Sequence, residues 1–531
     1  MDVVLLFVSL VIFACIGFQY WSGKIGVPGL FLFIVLGMLC GSDGIFKIPF
    51  SNYEIANQIC SFALIFIMFY GGAGTKWSAA KPVALKAIML SGAGTFLTAG
   101  LLGAFCHLVL GFEILESFLV GAVICSTDAA SVFSILRSKK MNLKYSTASL
   151  LEVESGSNDP FSYMLTVVIL SLMNGDGFGV SNVFLLLFKQ VSIGVICGFT
   201  FALLTKVVVA YFDIKVTGLG PAFAVAVALI SYSLPTIIGG NGYLSVYITG
   251  IIVGNIRIPN KKNVIQFFDG ITGIMQMLLF FLLGLLSYPS QLPDVWVKAF
   301  VIAAFLTFVA RPVAVFATLL PFKCKIRQLL FVSWSGMRGV ASIVFAIMAV
   351  TGSVALENDL FHIVFFIVLF SILVQGTLLP TVARRLNMID SSGDVMKTFT
   401  DYADEVPIQY IQFVLNKGHD WVNKHISQVV LPPESILVLI IRNGEKVIPR
   451  GDTRLLPGDT IVISGRAGSK VKGVNLVEKE LDEGSEWVNK KISEVPKNHN
   501  LIVMVKRNGN VLIPRGNTVL NVGDILVINK L

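Results

Sequence analysis

Four acidic side chains lie inside apolar stretches of the sequence, where burying a charge costs free energy and usually marks a functional site. They are Asp128, Glu152, Glu154 and Asp159. At 3.6 residues per helical turn, Glu154 should stack on Asn158, and Ser155 should stack on Asp159. One helical face is therefore predicted to offer two carboxylates, an amide and a hydroxyl. Such oxygen donors suit a hard monovalent or divalent cation rather than zinc or copper.

A second polar segment, Ser-Thr-Asp-Ala-Ala-Ser at 126–131, interrupts another apolar stretch. In the segment 151–160, which carries Glu154 and Asp159, Pro160 lacks an N–H group. This frees the carbonyl of Gly156 as an additional oxygen ligand. Secondary transporters build their ion sites from broken helices that carry carboxylates at the membrane midplane. The two segments together therefore predict a cation site between two helices.

Two arginines, Arg311 and Arg338, also fall inside apolar stretches. Acids and arginines in different helices predict a buried polar centre, whose members either form ion pairs that fix packing or bind an ion. The structural ion pair is favoured for Glu154 with Arg311. The ion site is favoured for Asp128 with Asp159, because two nearby acids would repel each other if nothing bound between them.

The elements that position these residues must be membrane helices. The chain has 531 residues, of which 55% are hydrophobic and 14% charged, and its mean hydropathy is +0.79. Residues 1–390 contain 39 charged side chains, whereas residues 391–531 contain 34 in 141 positions. The sequence therefore joins a membrane-embedded part to a soluble part of ordinary composition.

Thirteen apolar runs approach the length needed to cross roughly 30 Å of hydrocarbon. They lie near 3–21, 26–41, 56–72, 85–110, 115–136, 148–173, 183–210, 218–238, 242–256, 264–287, 295–320, 328–351 and 360–383. With the N-terminus outside, the predicted cytoplasmic segments carry 18 Lys and Arg residues and the outer segments carry two. This asymmetry predicts thirteen spans with the C-terminal part in the cytoplasm.

Charge and cysteine content exclude several classes of protein. The net charge of +9 resides mostly in the apolar part, and no long basic run occurs, which argues against nucleic acid binding. The seven cysteines lie in or beside apolar runs without a Cys-x-x-Cys pair, so they are interpreted as small hydrophobic residues rather than zinc ligands or disulfides.

The soluble part contains an internal repeat. Asp-Trp-Val-Asn-Lys at 420–424 returns as Glu-Trp-Val-Asn-Lys at 486–490, and Asn443-Gly444 and Pro449-Arg450-Gly451 return 65 residues later as Asn508-Gly509 and Pro514-Arg515-Gly516. Asn-Gly between β-rich runs is a strong hairpin signal. Each copy is therefore predicted to be a small α+β unit, a short helix followed by strands.

The motifs of the apolar part resemble those of the cation/proton antiporter superfamily. They are Ser-Thr-Asp at 126–128, Glu-Ser-Gly-Ser-Asn-Asp-Pro at 154–160, Ala-Arg at 310–311 and Gly-Met-Arg-Gly at 336–339. The Asn-Asp pair is similar to that of the NhaP/NHE branch, and the longer motif resembles bacterial potassium/proton antiporters that regulate cell volume. The resemblance implies an NhaA-like fold with inverted repeats, crossed broken helices and a homodimer. Many relatives have Pro where this chain has Ala129, which leaves the break of the fifth span unexplained.

The same resemblance implies roles for individual residues. Asp159 would alternately hold a proton or a monovalent cation. The neighbours that would ligate the ion or shape its site are Asp128, Thr127, Ser155 and Asn158. Glu154 and Arg311 would form a structural ion pair, and Arg338 would tune the local potential. Asn rather than Asp at 158 goes with one-for-one exchange in the family.

The two repeats resemble the TrkA-C subdomain of regulators of potassium conductance. The predicted organisation is a transmembrane domain at 1–388, a linker at 389–399 and regulatory domains at 400–468 and 473–531. The resemblance implies that a small ligand, with cyclic di-AMP the leading candidate, binds where such subdomains pair. Arg450 and Arg515, each beside a glycine turn, are candidate anion-binding residues. No cofactor is implied.

The predicted function is exchange of K⁺ for H⁺ across the bacterial cytoplasmic membrane, within the membrane lipid. Na⁺/H⁺ exchange is the alternative within the same class, since oxygen ligands do not separate the two ions. A ligand-gated potassium channel would need a filter such as Thr-Val-Gly-Tyr-Gly, which the sequence lacks. A membrane hydrolase is disfavoured because neither His-Glu-x-x-His nor Gly-x-Ser-x-Gly occurs.

Overall fold

In a computed structural model the chain forms two compact units, Met1–Asp404 and Glu405–Leu531. The described residues are 2–25, 28–139, 141–175, 180–211, 219–256, 261–352, 356–390, 408–416, 418–432, 435–442, 445–466, 476–482, 485–495, 500–507, 510–512, 514 and 516–530.

The described residues of the first unit form helices joined by short non-helical segments. Its α-helices are α1 (Asp2–Ile25), α2 (Gly29–Cys40), α3 (Tyr53–Gly74), α4 (Trp77–Ala80), α5 (Ala84–Met89), α6 (Thr95–Leu110), α7 (Ile114–Ile124), α8 (Ala129–Ser138), α9 (Thr147–Met173), α10 (Val180–Tyr211), α11 (Leu219–Ile237), α12 (Gly242–Asn255), α13 (Lys261–Leu286), α14 (Leu292–Phe305), α15 (Arg311–Leu319), α16 (Ile326–Trp334), α17 (Val340–Thr351), α18 (Leu360–Phe370) and α19 (Thr377–Arg385). Short 3₁₀ turns at Pro289–Gln291 and Leu320–Phe322 precede α14 and follow α15.

Three pairs of these helices are continuous rods joined by one π-helical turn. The π turns are Leu90–Gly94 between α5 and α6, Leu306–Ala310 between α14 and α15, and Ser371–Gly376 between α18 and α19. A π turn adds a residue without breaking the helix and often lies at a functional site. The second of these turns ends immediately before Arg311, one of the arginines singled out in the sequence.

The hydropathy of the helices makes this unit a polytopic membrane domain. Within the described residues, nine segments are long and apolar enough to span a bilayer, namely Leu5–Ser22, Tyr53–Gly74, Ala84–Leu110, Ile114–Arg137, Asn182–Tyr211, Leu219–Ile237, Asn263–Leu286, Pro289–Phe322 and Leu360–Arg385. Three shorter apolar helices are α2, α12 and α17. Each of the thirteen apolar runs in the sequence overlaps at least one of the helices. The runs at 115–136 and 328–351 are each divided between two helices.

Close helix contacts depend on small residues, as is usual between membrane helices. Gly37 of α2 faces Gly284 of α13, and a Cβ atom added to Gly37 would lie 2.8 Å from the Gly284 Cα. A side chain at either position would therefore push these two helices apart.

The second unit consists of two similar four-stranded antiparallel sheets. The strands are β1 (Ile408–Val414), β2 (Ser435–Arg442), β3 (Glu445–Val447), β4 (Thr460–Arg466), β5 (Leu476–Glu480), β6 (Asn500–Arg507), β7 (Asn510–Leu512) and β8 (Ile525–Lys530). Their orders are β1-β4-β2-β3 and β5-β8-β6-β7. The predicted hairpin is confirmed, because β2 and β3 pair with Arg442 opposite Glu445.

The predicted short helix in each repeat is wrong. Residues 420–423 form turns, and the only helical segments in the described residues of this unit are the 3₁₀ turns at Ile426–Gln428 and Ile492–Glu494. Asn423 and Asn489 adopt positive φ angles of 67° and 61°, which a continuous α-helix does not permit. Each repeat is therefore a small sheet domain rather than an α+β unit.

The same buried ion pair recurs in both sheets. Arg442 donates to Asp459 through Nε and Nη2 at 2.8 Å each, and Arg507 donates to Asp524 at 2.7 Å each. Burial alone would raise the pKa of Asp459, but hydrogen bonds from Arg442 and from the Leu456 N–H hold that pKa below its usual range. The hydrogen bond from Arg507 lowers the pKa of Asp524 in the same way. Both carboxylates are therefore ionised and stabilise their sheets at neutral pH.

We expect Asp459→Asn to destabilise the first sheet by about 1–2 kcal/mol at pH 7, a figure reduced because the partner guanidinium is partly exposed. Because the pKa of Asp459 is lowered on folding, the wild-type stabilisation is present above about pH 4 and is lost as the pH falls further. Hydrogen exchange of β2 and β4 peptides in the full-length chain measures the change at pH 7.

Asp524→Asn is the matched control and should accelerate exchange only in β6 and β8. If Asp459→Asn leaves β2 and β4 protected, or exposes the second sheet equally, the ion pair does not stabilise its own sheet.

Candidate cation site

Two broken helices cross in the first unit. The helix pair α7 and α8 is separated by residues 125–128, and the pair α16 and α17 is separated by residues 335–339. The two non-helical segments touch where the Asp128 N–H donates to the Met337 carbonyl at 2.7 Å. Non-helical backbone at membrane depth needs such partners, because lipid supplies none. The crossing therefore holds four helix ends close together.

Asp128 caps the beginning of α8. Its carboxylate accepts hydrogen bonds from the Ser131 N–H at 3.2 Å and the Ser131 hydroxyl at 2.5 Å. An acidic N-cap satisfies free N–H groups and complements the positive end of the helix dipole. A Cβ atom on Gly339 would lie 2.6 Å from the Asp128 Cβ, so this approach requires glycine. The fifth span therefore breaks at an aspartate cap, without proline at Ala129.

Arg338 caps the C-terminal end of α7, on the other side of the same break. Its side chain is 1% exposed, and Nη1 donates to the carbonyls of Ile124 at 2.6 Å and Ser126 at 2.8 Å. Its backbone N–H donates to the Ser371 hydroxyl at 2.9 Å. A cation at the C-terminal end of α7 complements the negative end of that helix dipole. Arg338 thus closes the end of α7 while Asp128 closes the beginning of α8.

The polar residues of α9 divide between two sides of the helix. Glu152, Ser155, Gly156 and Asp159, spaced i, i+3, i+4 and i+7, line a common cavity. Glu154 and Asn158 are buried away from that cavity, each with 0% exposure. The expectation of one face with two carboxylates, an amide and a hydroxyl is therefore corrected, because the two stacked pairs face different environments.

The cavity has a volume of about 440 Å³. Four residues singled out in the sequence line it together, namely Thr127, Asp128, Ser155 and Asp159. The Asp159 Oδ1 atom is buried and has no hydrogen-bond partner. A buried carboxylate oxygen without a partner is costly unless a proton or a cation joins it. The geometry therefore suits a group that binds one of these two in turn.

Hydrogen bonds fix the groups around Asp159. The Ser155 hydroxyl donates to the Thr127 carbonyl at 2.7 Å and accepts from the Ala129 N–H at 2.9 Å. The Asn158 amide donates to the Thr127 hydroxyl at 2.7 Å. Asn158 does not line the cavity, so it contacts Thr127 from the side of α9 that faces away from the cavity.

Glu154 and Arg311 form a buried ion pair between α9 and α15. Glu154 Oε1 lies 2.6 Å from Arg311 Nη2, and the two side chains are 1% and 3% exposed. A Cβ atom on Gly336 would lie 2.6 Å from Arg311 Nε, so glycine at this position leaves room for the guanidinium. The pair fixes α9, which carries Asp159, against a helix that contributes no side chain to the cavity.

Several cavity residues were missed or left without a role by the sequence analysis. Glu152 has the same spacing signal as Asp159 and could have been assigned to the cavity from helical periodicity. Tyr247 of α12 and Asp269 of α13 also line the cavity, and Asp269 accepts a hydrogen bond from the Tyr70 hydroxyl at 2.8 Å. No local pattern marks these contacts, because they join residues distant in sequence.

Asn241 is a further residue that the sequence analysis did not identify. Its side chain caps α12 by accepting from the Leu244 N–H at 3.0 Å and donates to the Pro160 carbonyl at 2.8 Å. The Gly-Gly-Asn-Gly sequence at 239–242 carries a helix-start signal that could have located the cap. Asn241 therefore ties α12 to the helix that carries the candidate site.

The candidate regulatory arginines are only partly described. Arg450 is exposed, and its backbone N–H donates to the Thr453 hydroxyl at 3.0 Å. Arg515 lies outside the described residues. The first of the two side chains is therefore accessible to a ligand, but the structure supplies no contact that defines a binding site.

Comparison with protein families gives two matches. A family model described as the transmembrane sodium/hydrogen exchanger matches residues 7–385. A TrkA-C domain model matches residues 410–469 and 476–528. The two matches correspond to the helical unit and to the two sheets.

Comparison with characterised proteins and solved structures gives the same picture. The chain is 33% identical to the K⁺/H⁺ antiporter NhaP of Alkalimonas amylolytica, over 83% of this chain and 77% of that protein. It is 30% identical to the K⁺/H⁺ antiporter NhaP2 of Shewanella oneidensis, over 88% and 82%. The structure of the sodium proton antiporter MjNhaP1 from Methanocaldococcus jannaschii aligns with a TM-score of 0.63 at 22% identity, over 73% of this chain and 99% of that one. This structural likeness shows a shared fold.

We expect Glu154→Ala or Arg311→Ala to lower the folded yield, because each leaves an unpaired buried charge at a cost of roughly 3–5 kcal/mol. The double replacement should recover part of the yield. Fluorescence-detected size exclusion and thermal unfolding in detergent measure both effects. Lys206→Ala, which removes an exposed basic side chain of α10, is the control and should change little.

If each single variant is as stable as wild type but its apparent cation affinity collapses, the pair belongs to the ion site and has no structural role.

Proposed function

The chain belongs to the sodium/hydrogen exchanger family, and from that premise we propose that it exchanges K⁺ for H⁺ across the bacterial cytoplasmic membrane. The family and the relatives described above are cation/proton antiporters, which are transporters and not enzymes. The substrates of the proposed reaction are a monovalent cation and a proton, and it requires no cofactor.

One observation carries the proposal. The unpartnered Oδ1 atom of Asp159 lies in a cavity that Asp128 also lines, at the crossing of two broken helices. Two carboxylates in such a site repel each other when both are bare, so binding of a cation or a proton is favoured. Neither a channel nor a hydrolase requires this arrangement.

Competition for Asp159 is sufficient to couple the two ions. The carboxylate binds either a proton or a cation, and the bare anion is unfavourable in a partly dry site. If the helices that carry the site move only when this charge is neutralised, each movement carries one ion and uncoupled leakage is suppressed. With Asn158 in place of a second acid, one cation exchanges for one proton.

Each of the remaining site residues has a proposed task. Thr127 and Ser155 supply neutral oxygens beside Asp159, and Asp128 supplies a second carboxylate. Arg338 tunes the electrostatic potential at the crossing, and the Glu154–Arg311 pair keeps α9 in place.

We also propose the arrangement of the chain in the membrane. Thirteen spans place the N-terminus outside and the TrkA-C repeats in the cytoplasm, which agrees with the distribution of Lys and Arg between loops. The two crossed broken helices support an inverted-repeat architecture. The proposed transmembrane domain is 1–388, followed by a linker at 389–399 and repeats at 400–468 and 473–531. We propose a homodimer within the lipid bilayer.

The second candidate function is Na⁺/H⁺ exchange by the same site. It is favoured by 27% identity, over 56% of this chain, to the Na⁺/H⁺ antiporter NhaH of Halobacillus dabanensis. K⁺ remains preferred because the relatives of 30–33% identity, which align over more than four-fifths of the chain, are K⁺/H⁺ antiporters.

We expect Asp159→Asn to abolish exchange while the protein still folds and inserts, because the amide has nearly the same size but cannot trade a proton for a cation. Proteoliposomes with an imposed pH gradient, assayed by fluorescence dequenching on addition of K⁺ or Na⁺, measure the activity. Asp294→Asn, which neutralises an exposed acid of α14, is the control and should transport normally.

Normal cation-driven proton flux in Asp159→Asn would remove the central role of this carboxylate. A larger response of the wild type to Na⁺ than to K⁺ would instead favour the second candidate function.

We further propose that the repeats control the rate of exchange through a small anionic ligand, with cyclic di-AMP the leading candidate. The exposed Arg450 beside a glycine supports anion binding, and Arg515 is its counterpart in the second repeat. A ligand can alter transport only by binding two conformations of the antiporter with different affinity.

Truncation after residue 395 should therefore preserve ion selectivity and change the rate or its dependence on pH. Cyclic di-AMP titrated in the proteoliposome assay should act on the full-length chain alone. An equal effect on the truncated chain, or a switch of preference from K⁺ to Na⁺, would contradict the regulatory role.

A further inference from the structure

Tyr247 reaches the candidate cation site from a helix outside the crossing. Its side chain lies on α12, is 3% exposed and lines the same cavity as Asp159. The hydroxyl is buried and has no hydrogen-bond partner. The side chains of Thr75 and Ser157 lie near it, and the Thr75 hydroxyl donates its own proton to the Gly71 carbonyl at 3.1 Å. A buried phenol left without a partner is unfavourable unless a ligand or water completes it.

The position of this hydroxyl is fixed by a glycine of α9. A Cβ atom on Gly156 would lie only 2.6 Å from the Tyr247 hydroxyl oxygen, so the phenol rests against bare helix backbone. Gly156 lies between Glu152 and Asp159, which are seven residues apart, or roughly 10 Å along the helix axis. The hydroxyl is therefore next to the stretch of cavity wall that separates the two carboxylates.

A neighbouring tyrosine shows that this arrangement is specific. Tyr243, one turn earlier on α12, is also buried at 2% exposure but does not line the cavity. Its ring packs against Tyr163 and Tyr232, with centroid distances of 5.0 and 4.9 Å. Of the two tyrosines on one helix, only Tyr247 presents an unpartnered oxygen to the cavity.

We propose that the Tyr247 hydroxyl is a neutral oxygen ligand that positions the cation between Glu152 and Asp159. The proposal rests on the antiport function and deepens it by assigning a residue to cation binding. A phenol oxygen has lone pairs for a hard cation, and its proton can be donated to a carboxylate at the same time. The Tyr247 oxygen therefore replaces one of the water molecules that the cation loses from its hydration shell before it reaches Asp159.

The location of Tyr247 makes this ligand dependent on conformation. α12 packs against α3 and α10, whereas Asp128 and Arg338 belong to the crossed helices. Asp159 lies on α9 and Tyr247 on α12, so the cation is bound by groups of two different helices. A movement of α9 relative to α12 would withdraw the hydroxyl from Glu152 and Asp159 and weaken cation binding, which favours release.

The test is Tyr247→Phe in full-length protein reconstituted into proteoliposomes. Loss of one charge-assisted contact should raise the KM for K⁺ about tenfold. Vmax should stay within about twofold of wild type, because Asp159 is intact. Tyr243→Phe is the matched control, with the same substitution on the same helix, and its KM should equal that of the wild type. An unchanged KM in Tyr247→Phe, or an equal rise in Tyr243→Phe, would overturn the assignment.

Gly156→Ala supplies a second and independent variant. The added methyl group cannot coexist with the phenol in its present position, so the hydroxyl should be displaced and the KM for K⁺ should rise by a similar factor although Tyr247 is retained. An unchanged KM would overturn the proposal even if Tyr247→Phe failed to fold. Absence of cation-driven proton flux in the wild type would instead reject the antiport function itself.

Discussion

Everything at the candidate site depends on one constraint, which is that backbone groups at membrane depth must find partners within the protein. Breaking two helices at their crossing creates free N–H groups at one end and free carbonyls at the other. Asp128 satisfies the first kind and Arg338 the second, and one backbone hydrogen bond joins the two breaks directly. One of these two capping charges, Asp128, therefore also lines the candidate cation cavity.

The two sides of α9 carry different kinds of contact. Its buried side carries Glu154, paired with Arg311, and Asn158, which holds Thr127 in place. Its cavity side carries Asp159 without a partner for one carboxylate oxygen. The contacts on the buried side therefore hold α9 in place while its other side exposes a carboxylate oxygen without a partner to the cavity.

Much of the site could be predicted from the sequence, because acids in apolar stretches and short motifs are local signals. The pair Glu154–Arg311 and the meeting of Asp128 with Asp159 at one cavity belong to this part. The prediction that one face of α9 carries both carboxylates, the amide and the hydroxyl was wrong. Helical periodicity does not show which side of a helix faces protein and which faces a cavity. The position of Tyr247 at the cavity could not be predicted, because it depends on the contact of two helices that are distant in sequence. The short helix of the repeats was wrong because Asn423 takes a left-handed conformation that favours a turn.

The hydrogen bonds of Ser155 restrict what this residue can offer to a bound ion. A serine hydroxyl has one proton and two lone pairs. The proton is directed to the Thr127 carbonyl, and one lone pair accepts the Ala129 N–H. Only one lone pair remains, so Ser155 is an acceptor without a proton to give, and it can ligate a cation but cannot stabilise a bare carboxylate. Proline at 129 would remove this N–H and leave the second lone pair of Ser155 free. The residue after Asp128 therefore determines how strongly the Ser155 oxygen can bind a cation.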